Sequence, residues 1–276
     1  MTDATGTAMQ LRLLDTTAQL RVDPDAVAGV ARLLAPFRVG EHSEPAVIRL
    51  SLTHDRDSDL FRAYRDDELL AGANNWAVPF GAAMTALNRQ AIDDYTGLAL
   101  HAGVVAVDGV AIAFPADSGG GKSTLTAACV RDGFEYVSDE SLCIDPASAA
   151  VVLYPKPLGL SYWSRTQVGL DDSALAFPPG RGEGMATAED LGSRVATGEI
   201  RLAHVVLPVY GSNPAQLAAE PAQTALAALL EHSFNHYKLG ERAFMLAAQL
   251  ANEVQAWTLE YEDPVAAAQL IRSLVS

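Results

Sequence analysis

Ala116-Asp117-Ser118-Gly119-Gly120-Gly121-Lys122-Ser123-Thr124 is the stretch on which the reading of this chain turns. It stands between an apolar run at 110–114 and a helix-like segment at 125–130, where a strand would give way to a helix. A polyphosphate needs several backbone N–H groups aimed at one point, and only residues tolerant of φ > 0 let successive amides converge that way. Gly119, Gly120 and Gly121 offer that tolerance. Lys122 would bring an ammonium to the β- and γ-phosphates and Ser123 a hydroxyl to Mg²⁺. The new helix, opening through Thr124, would set its positive end behind them. The P-loop rule G-x-x-x-x-G-K-[ST] asks for glycine where Ala116 stands, so the spacing is met only from Gly121 onward. The competing reading is a Gly-rich strand-to-helix turn with an incidental Lys-Ser; the flanking strand and helix favour the cradle.

Upstream, 104–107 and 110–114 flank Asp108-Gly109, a strong short-range hairpin signal. Downstream, a helix at 123–131 stops near Gly133 and a strand at 134–137 ends at Ser138-Asp139-Glu140. A hairpin joins 142–144 to 151–154. Residues 155–200 are irregular and rich in Pro and Gly, with 178–184 expected to be a mobile loop. A strand at 204–210, helices at 224–234 and 242–254, a strand at 257–261 and a helix opened by Asp263-Pro264 close the chain. Before the cradle, strands are expected at 8–13 and 46–52, a helix at 23–34, a strand pair at 60–64 and 68–71, and a helix at 79–95. The expected fold class is α/β, with a small α+β domain at 1–95 and a nucleotide-binding core at 96–276.

Composition narrows the function classes. The chain of 276 residues is 49% hydrophobic and 19% charged, which suits a globular protein with a substantial core. No run approaches the roughly 18 apolar residues of a membrane span. Met1 to Gln10 lacks the basic-then-apolar order of a signal peptide, so the expected location is the cytoplasm. Cys129 and Cys143 read as reduced core residues. With 19 Lys and Arg against 34 Asp and Glu, a net charge of −15 argues against a nucleic-acid partner and suits a neutral or basic one such as a peptide.

Phosphoryl transfer asks for a phosphate cradle, a metal carboxylate and a base for the accepting hydroxyl. Asp139 and Glu140 fall at the carboxyl end of the strand after the cradle helix, where α/β sheets gather ligands. One could share Mg²⁺ with Ser123 while the other polarises an acceptor; solvated acids in a turn are the plainer alternative. His101 precedes the hairpin and could be a base, a phosphate contact or a structural histidine. Arg181 could clamp the transferring phosphate or be a solvated loop charge. His232 and His236 lie one helical turn apart without an evident third metal ligand, so a polar helix end or acceptor-site rim is the preferred reading.

The set His101, Asp117-Ser118-Gly119, Gly121-Lys122-Ser123, Gly133 and Asp139-Glu140 resembles the catalytic core of the HPr kinase/phosphorylase family. That family carries His-Gly, Gly-Asp-Ser-Gly-x-Gly-Lys-Ser, Arg-Gly and Ala-Asp-Asp. The spacings correspond without a gap: 21 positions from His101 to Lys122 and 17 from Lys122 to Asp139. ATP-dependent phosphoenolpyruvate carboxykinase has a related histidine and loop. The resemblance covers about residues 98–160. It implies a core like the HPr kinase C-terminal domain, with ATP phosphates on Lys122 and the loop amides and Mg²⁺ on Ser123. It also makes Asp139 a metal or base carboxylate and brings His101 into the reaction centre. Departures are Ala116 for Gly, Ala102 after the histidine, and Glu140 for the second Asp. Tyr154-Pro155-Lys156-Pro157-Leu158-Gly159-Leu160 stands where the family has Glu-Ile-Arg-Gly-Leu-Gly-Ile, and Lys156 could replace that Arg as a phosphate contact. The chain thus looks more like the divergent HPr-kinase-related proteins, some of which phosphorylate a serine of a precursor peptide. The expected activity is transfer of the ATP γ-phosphoryl to a hydroxyl of a peptide or protein. A small-molecule kinase, a carboxykinase and a silent nucleotide-binding module are the alternatives. ATP against GTP, and whether copies of the chain associate, are not legible.

Overall fold

A computed structural model describes residues 6–40 and 44–275. The polar reading of the first ten residues falls partly on 1–5, outside the described residues. The chain is mixed α/β and divides into two compact units, Met1–Thr96 and Gly97–Ser276.

The first unit comprises β1 (Thr7–Leu13), β2 (Thr16–Val22), α1 (Val27–Leu33), β3 (Ile48–Asp55), β4 (Leu60–Arg65), β5 (Glu68–Ala73) and α2 (Ala77–Asp94). The strands form one sheet in sequence order, antiparallel throughout except for the parallel pair β2–β3. Alternate residues are buried, among them Leu11, Leu13, Leu20, Leu50 and Leu52, as a sheet with one covered face requires. On α2, Phe80, Ala83, Leu87 and Ala91 form the buried stripe, at the i, i+3, i+4 spacing of a helix face.

Two local expectations change here. The strand β2 was not anticipated, because its turn from β1 uses Leu14 at φ 53° and carries no glycine to announce it. The helix expected from Asp23 starts four residues later; Asp23 instead accepts the Asp25 N–H at 3.0 Å in an Asx turn.

The second unit follows as β6 (Leu98–Val107), β7 (Val110–Pro115), α3 (Lys122–Arg131), β8 (Glu135–Ser138), β9 (Ser141–Ile144), β10 (Val151–Val152), β11 (Leu158–Leu160) and α4 (Tyr162–Gln167). It continues with β12 (Gly184–Ala186), β13 (Arg201–Tyr210), β14 (Gln216–Glu220), α5 (Ala222–Glu231), α6 (His236–Leu239), α7 (Glu241–Glu253), β15 (Gln255–Tyr261) and α8 (Pro264–Arg272). The main sheet has the order β10-β9-β6-β7-β13-β15-β14, with β8 also paired to β6. Its centre is parallel, β7–β13–β15, and its flanks are antiparallel.

Helices cover both faces of this sheet. Leu98, Leu100, Ala102 and Val104 of β6 pack with α5 and α7, while Val105, Ile112 and Phe114 pack with α3 and α8. Strands buried on both faces read as nearly continuous apolar runs, which is why 104–114 stands out in the sequence. Asp108 and Gly109 both take positive φ, 50° and 81°, the type I′ geometry that matches strand twist. Gly103 lets α3 approach β6: a Cβ there would lie 2.2 Å from Thr126 Oγ1. The segment 155–200 is less irregular than expected, since β11 and β12 pair antiparallel around α4.

Candidate active site

Between the end of β7 and the start of α3 the chain makes the bend that the glycines announce. Gly119 and Gly121 both adopt φ of 82°, a left-handed conformation costly for other residues. Gly120 has no positive φ; its role is steric, because a Cβ would meet Ala116 Cβ at 3.0 Å and Asp117 O at 3.1 Å. Lys122, buried to 6% exposure, donates from Nζ to Ala116 O at 2.8 Å and Asp117 O at 2.7 Å. Burial pulls this ammonium below the usual lysine range, against the opposing pull of Asp117, Glu140 and Asp139.

The acid pair at the end of β8 faces the first turn of α3. Ser123 Oγ lies 3.4 Å from Asp139 Oδ2, and the Gly159 N–H donates to the same oxygen at 3.3 Å. Tyr136 donates its hydroxyl to Lys156 O at 2.6 Å and also reaches Asp139 Oδ1 at 3.4 Å. Burial raises the Asp139 carboxyl above its ordinary value although the Lys156 ammonium opposes that shift. Burial pushes Glu140 the same way, but Lys156, His101 and Lys122 outweigh it and hold Glu140 low. Lys156 Nζ sits between the two acids, 3.4 Å from Asp139 Oδ1 and in an ion pair with Glu140 Oε2. Lys156, expected as a phosphate contact, lines the cavity and is also the counter-ion of this pair.

His101 is half-buried on β6. Burial, then Lys122, depress its imidazole below the ordinary value despite Glu140 nearby. The segment after α5 runs along this strand. His101 N donates to His232 O at 2.7 Å, and the buried Asn235 brackets β6 by accepting from Ala99 N at 3.1 Å and donating to Gly97 O at 2.9 Å. That bracket puts Phe234 against His101, ring centroids 5.4 Å apart, and His232 Nδ1 within 3.7 Å of Asp117 Oδ1. His236 turns instead to Ser233 O at 3.4 Å. Among the described residues the only close group of three or more His, Cys, Asp and Glu is Asp23, Asp25 and His54, which includes neither His232 nor His236.

The far wall comes from the segment 155–200. Arg165 of α4, 1% exposed, bonds Asp172 through Nε at 2.7 Å, Leu160 O and Gly182 O through Nη1 at 2.8 and 2.9 Å, and Gly180 O through Nη2 at 2.6 Å. The loop expected to be mobile is thus tied to a buried guanidinium, which carries Arg181 and Glu183 to the rim of the cavity. Thr124 Oγ1 lies 2.8 Å from Ser164 Oγ, joining the first turns of α3 and α4.

One cavity of ≈ 600 Å³ takes in all of these groups: Lys122, Ser123, Asp139, Glu140, His101 and Arg181 all line it, as do Ser118, Gly119, Gly121, Thr124 and Lys156. Asp117 and Gly120 shape the bend behind that wall. Sequence reasoning missed Arg165, Glu183, and the aromatic pair Tyr162 and Trp163. No spacing marks these residues, because they come to the cavity through the fold of 155–184. Neither a scan of protein-family models nor a search of curated proteins finds a match to the chain.

Proposed function

We propose that this chain is an ATP-dependent phosphotransferase acting on a hydroxyl, most simply a serine of a peptide or protein, through a core of the HPr kinase and carboxykinase type. What supports the reading above all is that Lys122 and the Ser123–Asp139 pair line one cavity, with Ser123 Oγ 3.4 Å from Asp139 Oδ2. A lysine at a glycine bend and a serine facing a buried carboxylate are the donor set for a metal-bound polyphosphate. Mg²⁺ held by Ser123 and Asp139 would neutralise charge on the phosphate oxygens.

The chain's own residues supply the rest. Lys122 would exchange two loop carbonyls for phosphate oxygens, beside the backbone amides of Gly119, Gly121 and Ser123; the Gly120 N–H is already donated to Asp117 O at 3.0 Å. His101, whose burial favours the uncharged ring, lines the same cavity and would take the proton from an acceptor hydroxyl. Lys156, between Asp139 and Glu140, orients both carboxylates and favours their ionised forms, in Asp139 against the burial that raises it. One observation favours a second reading, a nucleotide-binding module without transfer: the ion pairs of Lys156 already satisfy the carboxylates internally.

Transfer from γ-labelled ATP to serine-containing peptides, in Mg²⁺, separates the two. The kinase reading expects labelled peptide, with Lys122→Ala lowering the rate about 10²- to 10³-fold, as loss of one preorganised charge contact does. Tight ATP binding with no transfer to any hydroxyl acceptor would leave the silent module standing.

A further inference from the structure

Resting on that reading, we infer that Tyr162 and Trp163 form the subsite for the nucleobase, a planar heteroaromatic ring stacked on the α4 wall. Two chemically different sets of residues line the cavity: His101, Lys122 and Glu140, with His232 Nδ1 3.7 Å from Asp117 Oδ1, and the aromatic pair Tyr162 and Trp163 with Arg181 and Glu183.

Contacts link the cradle to the segment that carries the aromatic pair. Ser123 meets Asp139, Asp139 meets Gly159, and Thr124 meets Ser164, whose hydroxyl lies 2.8 Å from Ser161 Oγ. In-line phosphoryl transfer puts the attacking and leaving oxygens on opposite sides of the γ-phosphorus. With His101 as the proton acceptor of the proposed function, the acceptor hydroxyl approaches beside that residue. The leaving diphosphate and its nucleoside extend the other way, past Thr124 toward α4.

What waits there suits a base. Tyr162 and Trp163 are 50% and 49% exposed, large aromatic surfaces on an otherwise polar wall, and a half-bare indole gains from a planar ring laid on it. The wall is fixed before any ligand arrives. Ser161 caps α4 by accepting the Ser164 N–H at 3.0 Å, the Thr124 bond clamps its first turn to α3, and the Arg165 guanidinium lies 5.9 Å from the Tyr162 ring centroid. Stacking on a π-face is tolerant of which base is stacked, in keeping with a sequence that carries no base-specific motif.

The test is calorimetric binding to the full chain in Mg²⁺, with ATP and inorganic tripolyphosphate as probes. Wild type, Trp163→Ala, Tyr162→Ala and Trp163→Phe are compared, and Lys122→Ala serves as the cradle control. The expected result is about a tenfold loss of ATP affinity in each alanine variant, unchanged tripolyphosphate affinity, and recovery in Trp163→Phe. Bound ATP should also quench the Trp163 emission that is missing from Trp163→Phe. The inference is overturned, with the cradle intact, if both probes bind wild type and lose affinity only in Lys122→Ala. Equal loss of both probes in the alanine variants overturns it too. Failure of wild type to bind either probe would instead remove the phosphate cradle itself.

Discussion

Each unit of this chain gathers acids, a histidine and a cation into one cluster, and the two clusters differ in what they leave unsatisfied. In the first unit His54 Nδ1 meets Asp25 at 2.7 Å and Nε2 meets Asp59 at 3.2 Å, while Arg56 reaches Asp23 at 3.2 Å and Asp25 at 3.0 Å. The ring is stacked on Phe61, centroids 4.0 Å apart. Asp23, Asp25 and His54 come close enough for a cation, but the Arg56 guanidinium already serves as one. Most of these groups face water, where pairing charges gains little. In the second unit Asp139, Lys156 and Lys122 are withdrawn from water yet open onto a cavity. Burial depresses Lys122 and His101 and raises Asp139. A cluster becomes a candidate site when its charges are desolvated and still have room for a ligand, not when it has many charges.

The difference can be broken most sharply at Lys156. Replacing it by Met leaves Asp139 and Glu140 facing each other without their counter-ion, one of them almost wholly buried. Removing one partner from a buried pair costs about 3–5 kcal/mol, so thermal unfolding of Lys156→Met should fall well below wild type. Mg²⁺ should then return much of the loss by linkage, whereas wild type, already neutralised, should gain less. A Lys156→Met protein that melts like wild type would mean that the acids are not held as described. In the first unit the matching change, Arg56→Met, should cost less, because the guanidinium and Asp25 are exposed and only Asp23 is buried.

How far the sequence exposes this arrangement depends on whether the signal is local. The bend at Gly119–Gly121, the Asp108-Gly109 turn and the Asp263 cap, which accepts the Val265 and Ala266 N–H groups, are written within a few residues and read directly. Lys122, Ser123, Asp139 and His101 follow because strand and helix lengths fix which ends meet. Lys156 was legible as a residue of the site, but its ion pairs were not, since nothing local shows that two carboxylates would close on its ammonium. Arg165 was invisible: its partners, Gly180 and Gly182, lie 15 and 17 positions away, and composition alone made that loop read as mobile. Arg165→Lys checks this, keeping the charge while losing the planar fork. We expect about 2 kcal/mol of destabilisation from the carbonyls left without a donor. Trypsin should cut at Arg181 in the variant under conditions where wild type is spared. If both resist equally, the guanidinium is not what holds the loop.

The smallest effect belongs to the solvated cluster, and its sign is fixed. The hydrogen bond from Asp25 raises the His54 imidazole above its ordinary 6.5, with Asp59 adding to the shift and burial and Arg56 opposing it. A group whose folded pKa is raised stabilises fully below its unfolded pKa and loses that contribution as pH rises through the folded one. Stability of the first unit should therefore decline as pH climbs through and above 6.5. Asp25 is held low mainly by the same hydrogen bond, so its own contribution disappears only as pH falls below the ordinary carboxylate value, well outside that window. Trp76 is the only tryptophan in this unit and is nearly buried, so its fluorescence in urea, with Trp163 and Trp257 changed to Phe, reports the transition. His54→Gln should flatten the decline, and high salt should shrink it in wild type, since exposed pairs are screened. A decline that survives both changes would place its source outside this cluster and would remove the ground for treating the two charge centres as opposites.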